Sequence, residues 1–361
     1  MGAGRENSVG FKGLRERKAV ARAVIEPMLV GKRDGTVIAA YKRIEPGTDG
    51  RIHTLLNTTG TTTMRLSSSE TILEEKSTNL QNMVNKIAAL DPLYRVRDVF
   101  VPDPGMVLVA GDYKQAEAIT TAAYIRDLVW LNKMLEGFDT HKEHAMYSFD
   151  TGAMDAVTGV QRKTAKNVTY ASLYRAQVPT IVNTINRDEH ITSIRVTRQE
   201  VEKIRNILLQ MHPLEQWWHD LEQEIVEQHG AVRNCFGQRR KLYDPDLDFR
   251  VKDAASFKSQ STVAYKMNQN INRVMDERVD QPGKIELLLQ IHDELLFQCK
   301  PDRLDELQER VTEIMEVKFV VEETELFIPV EWKIGKAWGA GMIEPEGTDT
   351  LTDIARREGW L

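Results

Sequence analysis

The sequence predicts a mixed α+β fold, because apolar strands and amphipathic helices occur along the chain without strict alternation. Residues 106–110 form a short apolar run between a Pro-Gly pair and a Gly-Asp pair, which is the pattern of a buried strand. Residues 285–298 consist of two apolar runs around a His-Asp-Glu triplet, which predicts a β-hairpin with acidic residues at its turn. A doubly wound parallel sheet would need strands that alternate regularly with helices, so it is disfavoured.

The other elements are predicted from helical periodicity and from turn residues. The predicted helices cover residues 10–31, 115–135, 160–179, 198–229, 257–279 and 304–319. Pro179 is expected to end the third of these helices, and Pro213 to kink or break the fourth. Residues 36–43 are expected to be extended, residues 45–75 to contain strand and loop, and residues 327–332 to form the final strand.

The composition is typical of a soluble globular protein with two or three domains. Of the 361 residues, 41% are hydrophobic and 28% are charged. No apolar run approaches the roughly 20 residues that cross a bilayer, and the polar N-terminus lacks a secretory signal. The two cysteines, Cys235 and Cys299, are not spaced as metal ligands. These features predict a cytoplasmic protein with reduced thiols and no membrane partner.

The net charge of −6 does not by itself indicate a nucleic-acid partner, but the charge is distributed unevenly. Residues 11–43 are basic, whereas residues 302–325 and the tail from Glu344 carry most of the negative excess. A basic patch suits phosphate binding, and a solvated surface explains the same run equally well. The composition therefore leaves the partner open.

Two acidic sites lie next to apolar runs. Asp112 follows residues 106–110 after a single glycine, Gly111, at a position where a carboxylate is also common as a helix cap. Asp293 and Glu294 lie within the predicted hairpin, and turn chemistry explains a lone Asp there better than it explains a His-Asp-Glu triplet. Burying such acids is costly unless a cation compensates them. Oxygen ligands of this kind suit Mg²⁺, which keeps water molecules and accepts substrate phosphates as further ligands.

Arg162, Lys166, Tyr170 and Tyr174 follow one another at intervals of four residues. This spacing places them along one face of a predicted helix over roughly 18 Å, and we call them the cation–aromatic stripe. Two cations followed by two rings fit a nucleotide end to end, with the cations on the triphosphate and the rings on the sugar and base. The alternative interpretation is a solvated basic turn followed by core tyrosines.

Three segments carry sequence motifs. Residues 112–117 read DYKQAE, residues 162–174 read RKTAKNVTYASLY and residues 290–297 read QIHDELLF. They resemble the first carboxylate motif (DYSQIE), the nucleotide-binding helix (R-x3-K-x3-[FY]-x3-Y) and the second carboxylate motif (QVHDE) of the DNA polymerase I family, family A. Flanking segments that also resemble this family are GRIHT at 50–54, MRLSS at 64–68, NLQN at 79–82 and GQRRKLY at 237–243. The resemblance spans about residues 45–340, in the family's order.

The resemblance implies a right-hand polymerase with an antiparallel-sheet palm and helical fingers, in which the thumb is reduced or absent. It implies a DNA-directed DNA polymerase, a nucleotidyltransferase of DNA replication that uses deoxynucleoside triphosphates to extend the primer of a primer–template DNA. Asp112 and Asp293, with the main-chain carbonyl of Tyr113, would hold two Mg²⁺ ions, for which Mn²⁺ is an expected substitute. Glu294 would support this metal site.

Further roles follow from the same resemblance. Lys166 would protonate the leaving group, as a catalytic residue beside the three acids. Glu117 would exclude ribonucleotides by filling the space below the sugar C2′. The implied nucleotide-binding residues are Arg162, Lys166, Tyr170, Tyr174, Gln115, Glu117 and His292. The implied DNA-binding residues, which would face the minor groove near the primer end, are Arg65, Asn79, Gln81, Asn82 and Gln260.

The sequence departs from the family pattern at Ala171 and Arg175, where the family usually has Gly, and before residue 45, where the family has a long helical thumb and usually an exonuclease. We therefore expect either a minimal polymerase or one chain of a split enzyme, completed by a separate thumb, exonuclease or processivity subunit. The compactness favours a phage or a related mobile element, and hence a phage-infected bacterial cell.

The expected domains are 1–45, a basic helical segment; 46–135, the first palm part; 136–250, the fingers; 251–342, the second palm part; and 343–361, a tail that is either frayed or a docking peptide.

Three other functions compete with DNA synthesis as interpretations of the sequence. A single-subunit RNA polymerase typically has His-Asp-Ser in its second motif and lacks the first-motif glutamate, so Glu117 and Glu294 favour DNA synthesis. A catalytically weak or inactive nucleic-acid-binding subunit of a split replicative polymerase is the main alternative, although it has no need for Asp112, Asp293 and both cations of the stripe. A nuclease that uses the same acids leaves the cation–aromatic stripe unexplained.

Overall fold

The computed structural model describes residues 46–69, 79–83, 95–187, 189–192, 194–339 and 341–361, together with residues 35, 38, 39, 42 and 44. The chain forms two compact units. One comprises Met1–Leu55 and Ser68–Arg97, and the other comprises Leu56–Ser67 and Asp98–Leu361. The predicted helix at residues 10–31 lies outside the described residues. The predicted division into five domains stays a prediction.

A four-stranded antiparallel sheet is the framework of the second unit. Its strand order is β10-β3-β7-β6, with β3 at Val107–Tyr113, β6 at Ile285–Ile291, β7 at Glu294–Cys299 and β10 at Val330–Gly335. The predicted buried strand and the predicted hairpin are therefore confirmed. The final strand begins three residues later than the sequence indicated.

Six shorter strands complete the described β-structure. They are β1 (Leu55–Asn57), β2 (Ser67–Ser69), β4 (Ala231–Arg233), β5 (Arg239–Lys241), β8 (Phe319–Val321) and β9 (Thr324–Leu326). Strands β4 and β5 form one antiparallel pair and β8 and β9 form another.

Among the described residues of the first unit, Ile38, Ala39 and Lys42 are helical, so the prediction that residues 36–43 are extended was wrong. The α-helices whose bounds the structure gives belong to the second unit. They are α1 (Ala116–Tyr124), α2 (Leu128–Leu135), α3 (Thr140–Ser148), α4 (Gly159–Leu173), α5 (Val178–Arg187), α6 (Glu189–Thr192), α7 (Arg198–Met211), α8 (Leu214–Glu227), α9 (Leu247–Asp276), α10 (Leu304–Met315) and α11 (Leu351–Arg357). Helix α9 runs for 30 residues, which is longer than its predicted length, and it packs against α1, α8 and α10.

Two of the helix predictions need correction, and a third is confirmed. The predicted helix at residues 115–135 is two helices, because Arg126 adopts φ = 58° and Asp127 then caps α2 by accepting from the Trp130 N–H. Pro179 does not end a helix but lies in the first turn of α5, where its missing N–H has no intrahelical partner to lose. Pro213 separates α7 from α8, as predicted.

The C-terminal tail is ordered, so the expectation of a frayed terminus was wrong. Thr350 and Asp353 form a capping box at the start of α11, in which each side chain accepts from the other's backbone N–H. Leu351 and Ile354 are fully buried in the core of the second unit, and α11 packs against α10 and β10. Apolar burial therefore fixes this segment, although its sequence lies beyond the family resemblance.

A broad apolar core joins the sheet to the helices that pack on it, with Trp130, Phe257 and Phe297 among its largest buried side chains. None of the described helices is both long enough and apolar enough to cross a membrane.

Candidate active site

The three predicted acids lie at one end of the central strands of the sheet, and we call Asp112, Asp293 and Glu294 the carboxylate edge. Asp112 is the penultimate residue of β3, and Glu294, the first residue of β7, is its partner in the antiparallel register. Asp293 lies in the β6–β7 turn, where its carbonyl accepts from the Tyr113 N–H at 3.1 Å. Main-chain pairing alone therefore brings the two motifs together, although they are far apart in sequence.

Burial makes the carboxylate edge electrostatically unfavourable in the absence of a cation. Burial first, and then repulsion from Asp293 and Glu294, raise the pKa of Asp112 to about 8. Burial also raises the pKa of Asp293, against the attraction of the Arg65 guanidinium. Two close, poorly solvated carboxylates of this kind favour bound positive charge.

The donor set at the carboxylate edge fits divalent metal ions that keep part of their water shell. Asp112 and Asp293 supply hard carboxylate oxygens, which are the ligands that Mg²⁺ takes in proteins. The described residues contain no group of three or more His, Cys, Asp or Glu side chains arranged to hold an ion by themselves. An ion at this edge would therefore need water, main-chain carbonyl or substrate oxygens to complete its shell.

The cation–aromatic stripe lies on α4, as its spacing predicted, with Tyr174 at the C-cap. Thr158 and Gln161 form a capping box that begins this helix. The exposed ammonium of Lys166 lies 5.9 Å from the centre of the Tyr170 ring. Arg162 pairs with Asp139 at the start of α3, at 2.5 Å between Nε and Oδ2. The positive charge of Lys166 acts on Asp293, so the middle of the stripe lies near the carboxylate edge.

Glu117, in the first turn of α1, links several of the predicted site residues. Its carboxylate accepts hydrogen bonds from the Tyr174 hydroxyl and the Arg65 guanidinium, and from the Gln260 amide of α9 at 3.4 Å. Its negative charge also reaches Tyr170, whose pKa is raised by burial first and by Glu117 second. One predicted nucleotide-binding residue, Tyr174, and two predicted DNA-binding residues, Arg65 and Gln260, thus meet at one carboxylate.

Gln115 and His292 occupy bends rather than regular elements. Gln115 is the N-cap of α1 and adopts φ = 50° between β3 and that helix. His292 adopts φ = 57° in the hairpin turn, where its side chain is exposed and its carbonyl accepts from the Gln290 amide. Both residues therefore shape the backbone beside the carboxylate edge.

The remaining predicted DNA-binding residues lie in the first unit. Asn79 precedes a single-turn 3-10 helix at Leu80–Asn82, and Gln81, within that turn, is buried. The role of Asn79, Gln81 and Asn82 in DNA binding stays a prediction.

The sequence analysis missed His141, which lies on α3 beside the stripe. Its ring is 98% buried and its centre lies 5.5 Å from that of the Tyr170 ring. Neither ring nitrogen has a hydrogen-bond partner among the described residues. Burial, and then the positive charges of Lys166 and Arg162, lower the pKa of His141 to about 4. Periodicity gave no signal for this residue, because its partners lie on another helix.

Comparisons with known proteins identify the family of this chain. The family model for DNA polymerase family A matches residues 7–340. The thermostable DNA polymerase I of Thermus aquaticus is 28% identical over 334 residues, which cover 90% of this chain and 36% of the relative. DNA polymerase I of Geobacillus stearothermophilus is 26% identical over 339 residues, with 90% and 36% covered. The chain thus spans about a third of the length of the curated relatives that it matches.

A solved structure shares the fold. It is the POL domain of Pol1 from M. smegmatis, in complex with DNA primer-template and dNTP, with a TM-score of 0.73 and 22% sequence identity. The match covers 94% of this chain and 57% of the other chain. The right-hand polymerase fold expected from the motifs is thereby supported, and the family model covers most of the sequence. The chain belongs to DNA polymerase family A.

Proposed function

We propose that the chain is a DNA-directed DNA polymerase that adds deoxynucleotides to the 3′ end of a primer on a DNA template. The observation that carries this proposal is that Glu117 accepts a hydrogen bond from Tyr174 of the stripe, while Glu117 and Lys166 both act electrostatically on Asp293 of the carboxylate edge. Acids that attract divalent ions, next to cations and rings that fit a nucleoside triphosphate, are the parts that nucleotidyl transfer requires. Family membership supports the same reaction.

Asp112 and Asp293 would hold two Mg²⁺ ions, with the main-chain carbonyl of Tyr113 as a further ligand and Glu294 in support. Mn²⁺ is an expected substitute, because it takes the same oxygen ligands. When bound, the ions would lower the pKa of the primer 3′-hydroxyl and neutralise charge on the leaving pyrophosphate. The rigid pairing of β3 with β7 suits this role, because it fixes both acids before substrate arrives.

The stripe would bind the incoming deoxynucleoside triphosphate. Arg162 and Lys166 would contact the phosphates, for which Arg162 has to leave its ion pair with Asp139. His141 would join them, because its buried ring nitrogens need a partner and phosphate oxygens supply acceptors. Lys166 would protonate the leaving group.

The rings and Glu117 would position the sugar and the base pair. Tyr170 would pack on the incoming nucleotide and Tyr174 on the templating pair. Glu117, held by the Tyr174 hydroxyl, would exclude a ribose 2′-hydroxyl by filling its space. Gln115 and His292 would shape the nucleotide pocket through the bends that they occupy.

Arg65 and Gln260 would face the minor groove of the primer–template. Their contacts with Glu117, which would lie against the nucleotide sugar, support this role. Asn79, Gln81 and Asn82 are proposed to act on the same duplex, from the sequence motif alone. A separate thumb, exonuclease or processivity subunit, and a phage context, also stay predictions from the sequence.

The test is extension of a labelled primer on a DNA template at low salt, with Mg²⁺ or with a chelator, and with deoxynucleotides or ribonucleotides. The wild type should extend with Mg²⁺ and deoxynucleotides only. Asp293→Asn should reduce the rate by roughly 10²-fold or more, because a metal ligand is lost. Lys166→Gln should slow extension by roughly 10²-fold.

Lys163→Gln is the matched control on α4, because Lys163 is exposed on the same helix but lies off the stripe. It should change the rate by no more than about twofold. Equal losses in the two lysine variants would contradict the assigned role of Lys166. A folded wild type that binds primer–template without extending it would instead support the inactive-subunit alternative.

A further inference from the structure

Three buried side chains form a continuous hydrogen-bond chain from Asp127 to helix α4. The Asp127 carboxylate accepts from Nδ1 of His212 at 2.7 Å. Nε2 of His212 lies 2.9 Å from Nε2 of His144, and Nδ1 of His144 lies 3.3 Å from the hydroxyl of Thr169. His144 and Thr169 are fully buried and His212 is 5% exposed, so water does not compete for these bonds.

The proton positions along the chain follow from its acidic end. An ionised carboxylate only accepts, so His212 carries its proton on Nδ1. In the neutral pair, Nε2 of His212 then accepts from the Nε2–H of His144, and Nδ1 of His144 accepts from the Thr169 hydroxyl. Burial above all holds the pKa of His144 well below its ordinary value, which agrees with a neutral ring in this hydrogen-bond chain.

The hydrogen-bond chain connects four separate helices of the second unit. Asp127 is the N-cap of α2, His144 lies on α3, Thr169 lies on α4, and His212 follows the last residue of α7. The ring of Trp130 packs on His212 with 4.2 Å between the ring centres, which closes the apolar side of the chain.

The hydrogen-bond chain ends next to the cation–aromatic stripe. Thr169 directly precedes Tyr170, and both contact α3 through a histidine: Thr169 through His144, and Tyr170 through His141. The rotation of α4 about its axis determines where Lys166 and Tyr170 point. A hydrogen bond from a buried residue of α3 to Thr169 fixes that rotation more specifically than apolar packing does.

We propose that His144 and His212 are positioning residues that hold α4, and with it the stripe, in the orientation that binds the incoming nucleotide. This role rests on the proposed function. The side chain of His144 bonds to Thr169 and His212 rather than to a stripe residue, so it acts on the stripe through Thr169. Removing the side-chain hydrogen bonds of His144 leaves buried polar atoms of His212 and Thr169 unpaired, which favours movement of α4.

The test compares His144→Phe, Thr169→Val and the double variant in steady-state primer extension with varied deoxynucleotide. Phe keeps the ring packing and Val keeps the branched shape, so each removes mainly hydrogen bonds. Each single variant should raise KM for the nucleotide about tenfold, the loss expected for one buried hydrogen bond. The value of kcat should change by no more than about twofold. The double variant should match the single variants, because both break the same chain.

Thr164→Val is the matched control, since Thr164 is also buried on α4 but lies outside the chain. It should leave KM unchanged. Thermal unfolding shows which variants are folded, and if His144→Phe does not fold, Thr169→Val carries the test. A KM for Thr169→Val equal to that of the wild type would overturn the proposal, as would multiplicative effects in the double variant. Primer extension by the wild type is measured first. A wild type without activity refutes the proposed function, whereas an active wild type with unchanged variants refutes only the positioning role.

Discussion

The carboxylate edge and the cation–aromatic stripe are both functional surfaces of the second unit, but they are held in place by different forces. At the edge, the antiparallel register of β3 with β7 and the Tyr113–Asp293 main-chain bond fix the acids. On α4, side chains of other helices hold the stripe, as Asp139 holds Arg162 and Glu117 holds Tyr174. A substitution at the edge should therefore change charge without moving the backbone, whereas one around α4 should move the surface itself.

The largest expected effect is at the carboxylate edge, where activity and stability should separate. Asp112→Asn should reduce the extension rate by roughly 10²-fold or more. Measured in chelator, its free energy of unfolding should be higher than that of the wild type or equal to it within about 0.5 kcal/mol. The reason is that Asn keeps the shape of Asp112 but removes an acid whose ionised form is disfavoured by burial and by repulsion from Asp293 and Glu294. Denaturant unfolding and primer extension measure the two quantities.

Glu331→Gln is the control for this prediction, because Glu331 is the register partner of Asp112 on β10 but is exposed. Its activity should stay within about twofold of the wild type. A clear loss of stability in Asp112→Asn would show that the acid supports the fold, and the contrast between the two regions would then fail.

A smaller effect is expected at the end of α4, where Arg175 directly follows Tyr174. Arg175 adopts φ = 55°, a conformation that is unfavourable for residues with a Cβ. Its guanidinium pairs with Glu222 of α8 at 2.7 Å and with Asp248 of α9 at 3.1 Å, and lies 5.8 Å from the Trp218 ring centre. These side-chain contacts offset the backbone strain where the family usually has Gly.

Two substitutions separate the strain from the contacts. Arg175→Ala should lower the free energy of unfolding by about 1–2 kcal/mol, because it loses the ion pairs and keeps the strained backbone. Arg175→Gly loses the same ion pairs but relieves the strain, so its loss should be smaller by about 0.5–1 kcal/mol. Denaturant unfolding of both variants measures the difference. Equal stabilities would show that the backbone at residue 175 carries no strain.

The same contrast explains how much the sequence could predict. The strand before Asp112, the hairpin around Asp293 and the stripe on α4 are local patterns with a period of two or four residues, and the structure contains all three. The break at Arg126 was missed because neither Gly nor Pro marks it. The order of the tail was missed because it depends on burial of Leu351 and Ile354 against distant elements.

Contacts between helices were the least predictable part of the site. His212 lies 85 residues from Asp127 and 68 residues from His144, so no local period relates these residues. His141 was missed for the same reason. It lies on α3, whereas its neighbours Tyr170 and Lys166 lie on α4. Family motifs named the side chains of the stripe, but only the packing of α3 on α4 shows what holds them.

The smallest effect is expected at His292, the exposed residue of the hairpin turn. Its φ of 57° is a conformation that Asn adopts readily, so His292→Asn should keep the turn and change the free energy of unfolding by no more than about 0.5 kcal/mol. If His292 acts by shaping the backbone beside Asp293, the extension rate of His292→Asn should stay within about threefold of the wild type. His292→Val should lose both stability and activity, because valine disfavours positive φ. Steady-state extension and denaturant unfolding of the pair measure this. A large loss of activity in a stable His292→Asn would mean that the imidazole itself contacts substrate, and the carboxylate edge would then depend on a side chain as α4 does.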